Sequence, residues 1–280
     1  MREQALARPE GLLVQPDSPC GTAVLVLSGS SGAVEAERCR VLAKAGAVAM
    51  SIRWFGGADQ QPGPARVPLE VLVEALDRLS ALGARLALMG TSFGAEAALL
   101  VAARDPRVAA VVAVAPTPVS WAGVIAGGMG GLRLTAHWTW RGDEVPYVPF
   151  VEGFVPESDP PAYRPLYERS LAAFPDRAAR AAITVEDIAG PVVLVAGEDD
   201  QVWPGAEFAR MLAARRHRHG LPTSLVTHPS AGHRVIFPGE VAQQRGMAIA
   251  RGGTPEADAA LGALAWPHVV AALQLRESPR

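Results

Sequence analysis

Gly90-Thr91-Ser92-Phe93-Gly94 is the segment best suited to nucleophilic chemistry. The apolar run RLALM leads into it and the apolar stretch AEAALLVAA leaves it, which reads as strand, turn and helix. Glycines on both sides of a serine permit a sharp, strained turn that lifts the hydroxyl above the edge of a sheet. The helix N-terminus there favours a developing negative charge. The competing reading is a glycine-rich turn in which the Ser92 hydroxyl merely caps the helix.

Two other segments complete a constellation. Gly197-Glu198-Asp199-Asp200 closes the run VVLVA, and Ser230-Ala231-Gly232-His233 follows SLVTH. A buried acid can fix a histidine tautomer, and that histidine can take a proton from a serine. Taken singly, loop carboxylates commonly cap turns and a lone histidine is commonly structural. Taken together, Ser92, Asp200 and His233 each follow an apolar run, in the chain order of α/β-hydrolase triads. Asp200 rather than Asp199 is the expected acid, three residues beyond Gly197. Acyl transfer also needs backbone N–H donors aimed at the oxyanion. The expected donors are Phe93, next to the serine, and Ser30 in the loop Ser28-Gly29-Ser30-Ser31-Gly32. That loop lacks G-x-G-x-x-G and G-K-[ST], so a phosphate cradle is not indicated. His137 and His228 could lie near the site but carry no motif. Glu96, in the first turn after the elbow, reads as structural.

The elements that would position these residues alternate between short apolar runs and helical periods. AVLVLSG is followed by VEAERCRVLAKAG, AVAMSIRWFG, VPLEVLVEALDRLSALG, RLALMG, TSFGAEAALLVAARDP and RVAAVVAVAP. The order returns with PVVLVAGEDD, AEFARMLAARRHRHG and SLVTHPSAGH, and a helix from about Pro255 to Leu275 closes it. This order predicts a mostly parallel sheet with helices on both faces, and ligands beyond the carboxyl ends of its strands. One α/β-hydrolase domain over 1–280 is expected. Its pattern is interrupted over 117–188, a stretch rich in aromatic residues and proline. That stretch is the expected lid, with Trp138 and Trp140 as pocket residues.

Composition bounds the alternatives. Of 280 residues, 49% are hydrophobic and 19% charged, which excludes a disordered chain. A net charge of −2 argues against a broad nucleic-acid or anionic-membrane footprint. Cys20 and Cys39 make no disulfide scaffold, and no Cys/His cluster suggests a metal; no cofactor is expected. MREQALARPE has no apolar signal core, and prolines and glycines break the uncharged window Val108–Leu132, so no membrane span is expected. A cytoplasmic location is the expectation.

SGSSGAVEAERCRVLAKAGAVAMSIRWFG, GTSFGAEAALL, VAGEDDQVWP and HPSAGHRVIFPGE resemble the catalytic domain of the acyl-CoA thioesterase and bile acid-CoA:amino acid N-acyltransferase family. That family lies within the dienelactone-hydrolase-like α/β-hydrolases. The resemblance runs from about Gly11 to Gly239. It implies Ser92 as nucleophile, Asp200 as acid, His233 as base and an oxyanion donor near Ser30. Larger members carry a β-sandwich ahead of this domain, and acyltransferase members use cysteine at the position of Ser92. The expected activity is hydrolysis of an acyl thioester, most simply an acyl-CoA, through a covalent acyl-enzyme. A carboxylesterase, an acyltransferase to an amine or alcohol, and a binding or scaffold module on the same fold are the alternatives.

Overall fold

The computed structural model describes residues 1–126, 132–241 and 247–276. Its main sheet holds eight strands: β1 (Arg2–Ala7), β2 (Glu10–Gln15), β3 (Thr22–Leu27), β4 (Val48–Ile52), β6 (Arg85–Thr91), β7 (Val108–Val114), β12 (Val192–Gly197) and β13 (Thr223–His228). Their order across the sheet is β1-β2-β4-β3-β6-β7-β12-β13. β1 and β2 pair antiparallel, as do β2 and β4; every other neighbouring pair is parallel. This is the α/β-hydrolase fold expected from the alternation.

The alternation within each parallel strand decides the layers. Leu25 and Leu27 of β3 face one core, with Leu88 of β6, Val111 of β7 and Leu194 of β12. Helices α2 (Glu70–Ser80), α3 (Phe93–Ala102) and α6 (Gly205–Arg218) cover that face. Val24, Val26, Met89, Val112 and Val195 face the other core, under α1 (Ala36–Lys44) and α7 (Pro255–Leu273). Both faces being covered, strands such as TAVLVL are buried at every position.

Adjacent registers bring the carboxyl ends together. Leu27 lies beside Gly90, Thr91 beside Val114, Val114 beside Val195, and Gly197 beside His228. Three of the loops that leave this edge carry Ser92, Asp200 and His233.

Between β7 and β12 the chain leaves the sheet. β8 (Ala122–Ala126) and β9 (Leu132–Ala136) pair antiparallel; 127–131 of the expected lid lie outside the described residues. β10 (Trp138–Trp140) pairs with both β11 (Asp143–Glu144) and the short β5 (Val67–Pro68). Helices α4 (Arg164–Ala173) and α5 (Pro175–Arg180) follow. Trp121, Val148 and Tyr167 of this segment pack with Trp203 and Phe208, which stand just beyond β12. Among the described residues no helix is long and apolar enough to cross a membrane.

Candidate active site

Ser92 has φ 58° and ψ −123°, a strained conformation for a residue with a side chain. Its flanking glycines explain how the chain tolerates it. A Cβ at Gly90 would fall 2.0 Å from the Gly94 carbonyl oxygen, and one at Gly94 would fall 2.2 Å from that of Ser28. Only glycine fits either place. The Ser92 carbonyl accepts from Ala95 and Glu96 N–H at 2.8 and 3.0 Å, opening α3. Its hydroxyl makes no capping hydrogen bond to the helix. The capping account of this serine therefore has no bond to support it.

His233 lies 2.7 Å from Asp200, Nδ1 to Oδ2. The other carboxylate oxygen, Oδ1, accepts from Val202 N–H at 2.8 Å and Trp203 N–H at 3.2 Å. Asp200 is wholly buried, so its charge depends on these donors rather than on water. Asp199 turns the other way: its Oδ2 accepts from Gly253 N–H at 2.8 Å and its Oδ1 from Gln201 Nε2 at 2.9 Å. The backbone of His233 is held too, its N–H donating to the Arg251 carbonyl at 2.9 Å. Gly232 N–H donates to Asp258 Oδ1 at 2.8 Å, fastening the histidine loop to the first turn of α7.

Asp200 and His233 are thus brought together, while among the described residues no hydrogen bond closes between Ser92 Oγ and the ring. Ser92 is 6% exposed and His233 8%, so the site is nearly shut from solvent. The loop from Ser28 lies against the serine: a methyl group at Gly29 would sit 3.1 Å from Ser92 Cβ and 3.7 Å from Oγ. Among the described residues neither Phe93 N–H nor Ser30 N–H donates to another backbone group.

Trp138 and Trp140, the expected pocket residues, take different places. Trp138 is completely buried, stacked on His137 at 4.5 Å between ring centroids, and its indole N–H donates to Glu96 Oε1 at 2.8 Å. Trp140 is half-buried beside the Arg141 guanidinium, 5.6 Å from its ring centroid. The rings near His233 are Trp203, 5.5 Å from it, and Phe93, 5.5 Å from Trp203.

Residues 164–275 match the family model described as "BAAT / Acyl-CoA thioester hydrolase C terminal". Over those residues the chain is similar to that family. The match includes Asp200 and His233 and begins beyond Ser92. Three solved structures share the fold. A putative dienelactone hydrolase from Klebsiella pneumoniae subsp. pneumoniae is 15% identical, with TM-score 0.56 over 98% of this chain and 97% of its own. A structure described as m3DLH is 19% identical, with TM-score 0.52 over 98% and 96%. A puromycin-hydrolyzing peptidase from Mycobacterium tuberculosis is 15% identical, with TM-score 0.53 over 83% of this chain and 36% of its own. None of the curated proteins matches the chain.

The thioester-hydrolase family match leaves several buried polar groups around the site to be accounted for. Arg38 of α1 donates to Glu240 Oε1 at 2.6 Å, to Thr91 Oγ1 at 2.8 Å and to the Val235 carbonyl at 3.1 Å. One guanidinium so joins the helix after the Ser28–Gly32 loop, the residue before Ser92, and the loop after His233. Its position was open to reading: Val34, Arg38, Val41, Leu42 and Ala45 share one helical face, and a charge on an apolar stripe needs a buried partner.

Glu96 is more than a helix-end charge. Its Oε1 accepts from Ser120 Oγ, Trp121 N–H and Trp138 Nε1, and burial pushes its carboxyl up to about 8. It fastens the 117–140 chain onto the helix behind Ser92. Among the described residues no group of three or more His, Cys, Asp or Glu side chains could hold a metal ion.

Proposed function

We propose that the chain is a serine hydrolase that cleaves a small acyl thioester through a covalent acyl-enzyme. The observation that carries this reading is the 2.7 Å contact between His233 Nδ1 and a fully buried Asp200, on loops beside the strained Ser92 turn. With Nδ1–H donated to the carboxylate, Nε2 is left as the acceptor, the tautomer a general base requires. Fold and family match both support a hydrolytic enzyme.

In this mechanism His233 Nε2 takes the Ser92 proton as Oγ forms a bond to the acyl carbon. Phe93 N–H and Ser30 N–H hold the oxyanion of the tetrahedral intermediate. Collapse breaks the carbon–sulfur bond, and His233 returns its proton to the leaving sulfur. Water then repeats the sequence: its proton goes to His233, its oxygen to the acyl carbon, and Ser92 Oγ leaves with the proton. Asp200 stabilises the imidazolium in both halves.

The 117–188 segment acts in this account as a cover. Its Trp121 and Tyr167 pack on Trp203, and Trp203 packs on His233, so displacing the segment would open the triad to solvent. The acyl donor is the point to measure. Hydrolysis should be profiled across matched acyl-CoA, simple thioester and oxyester substrates of the same acyl group. The thioester reading expects the highest kcat/KM on thioesters; a uniform preference for oxyesters would make the protein a carboxylesterase instead.

A further inference from the structure

His137 is 1% exposed, yet neither ring nitrogen has a hydrogen-bond partner. Its place is fixed by the backbone, because the His137 carbonyl accepts from Val67 N–H at 2.9 Å and the next residue pairs with Val67 in the small sheet. The ring lies 4.4 Å from the Phe93 ring and is stacked on Trp138. Phe93 follows the candidate nucleophile directly. Two more buried donors without partners sit in the same aromatic layer: Trp54 Nε1, whose ring is 5.8 Å from His137, and Trp203 Nε1, whose ring is 5.5 Å from Phe93. On another side Trp54 borders a cavity of about 190 Å³ with Asp59, Gln60, Gln61, Pro68 and Val71.

Buried polar atoms are nearly always paired, and leaving one unpaired costs about 1–3 kcal/mol. Phenylalanine or leucine at 137 would keep the packing without that cost. A histidine here, with indole N–H groups beside it, is arranged for an acyl group that brings its own hydrogen-bonding atoms. We propose that His137 is a specificity-determining residue, which selects acyl groups bearing an uncharged oxygen function, a hydroxyl or an oxo group, over plain aliphatic chains of the same length.

The charge state narrows the class. Burial pushes the imidazole down to about 3, so it is neutral in ordinary buffers and offers one N–H donor and one lone-pair acceptor. A hydroxyl can use both and an oxo group the donor. An acyl carboxylate would instead need a cation, and the group tied to the Trp138 side of the layer is the acid Glu96.

This inference rests on the acyl-transfer reading of Ser92, and its test separates the two. The full chain is assayed on N-acetylcysteamine thioesters of butanoate, β-hydroxybutanoate and acetoacetate. The expected kcat/KM for the oxygen-bearing acyl groups exceeds that for butanoyl by about tenfold or more. His137→Phe should bring the ratio to within about twofold while its thermal midpoint is unchanged or higher, because two unpaired buried nitrogens are gone. His137→Gln, with a donor and an acceptor, should retain part of the preference. Turnover of all three thioesters at equal rates by the unaltered chain overturns the proposal. So does a Phe variant that keeps the ratio, or one that unfolds or loses stability with equal loss on every substrate, since either marks His137 as packing. No turnover of any thioester removes the thioester reading of the site, and the inference with it.

Discussion

Arg38 and Glu240 meet side by side, Nε to Oε1 at 2.6 Å and Nη2 to Oε2 at 3.0 Å, across 202 positions of sequence. The pair is almost buried, and the same guanidinium donates to Thr91, one residue before Ser92. Removing one partner of a buried pair strands the other charge at a cost of about 3–5 kcal/mol, whereas apolar replacement of both is often neutral. Arg38→Met should therefore lower stability sharply, and Arg38→Met with Glu240→Met should recover it. The double variant should still show a reduced kcat, because Thr91 and the Val235 carbonyl lose their common donor. Denaturant unfolding and steady-state kinetics on both variants check this; full kcat in the double variant would make the pair purely structural.

Asp200 and Asp199 are adjacent in sequence but face opposite ways. Asp200→Asn should lower kcat by about 10⁴, since an amide no longer fixes the His233 tautomer or stabilises its cation. Asp199→Asn should leave kcat within a fewfold of normal, its carboxylate serving the Gly253 loop. Parallel kinetics on the two variants decide between them, and the reverse ranking would move the acid by one residue.

Glu96 should give stability a pH dependence of known sign. Its folded pKa, about 8, lies above its ordinary value of 4.5, so the folded state binds more protons in between. That contribution is fully present below about 4.5 and is lost as pH rises through 8. His137, pushed down to about 3, acts in the opposite sense as pH falls below 6.5. Glu96→Gln should flatten the decline between about pH 4.5 and 8, as chemical denaturation across that range would show. Glu96→Ala should destabilise at every pH, because three buried donors lose one acceptor.

The acceptor can be tested directly. An oxyester at Ser92 reacts less readily with amines than a thioester would, so free acid should dominate even with millimolar glycine present. Ser92→Cys should raise the amide fraction. Mass spectrometry of the products measures both, and predominant amide from the unaltered chain would favour an acyltransferase.

Much of this fold was legible because buried parallel strands announce themselves. TAVLVL and VVLVAG read as continuous apolar runs, and the loops that follow them carry Ser30, Asp200 and their neighbours. β1 was not legible for the complementary reason: REQALA is exposed at almost every position and is held at the sheet edge by backbone pairing, which leaves no hydrophobic pattern. The short β5, β10 and β11 were missed because strands of two or three residues have no period. The aromatic content of 117–188 was visible in the sequence, but not which rings turn inward; Trp138 is committed to Glu96, and Trp203, outside that stretch, is the one against His233. Arg38 and Glu96 were visible as charges on apolar helical faces, but their partners lie in distant loops that only the folded chain brings near.

The central claim is that Ser92 is a nucleophile activated by His233. It is tested most directly by fluorophosphonate labelling of the full chain with mass mapping of the adduct. The account predicts one stoichiometric adduct on Ser92, absent from Ser92→Ala and strongly slowed in His233→Ala, with turnover in Ser92→Ala reduced by about 10⁴–10⁶. An unlabelled Ser92 in the folded chain, or a Ser92→Ala variant that still turns over, would contradict it.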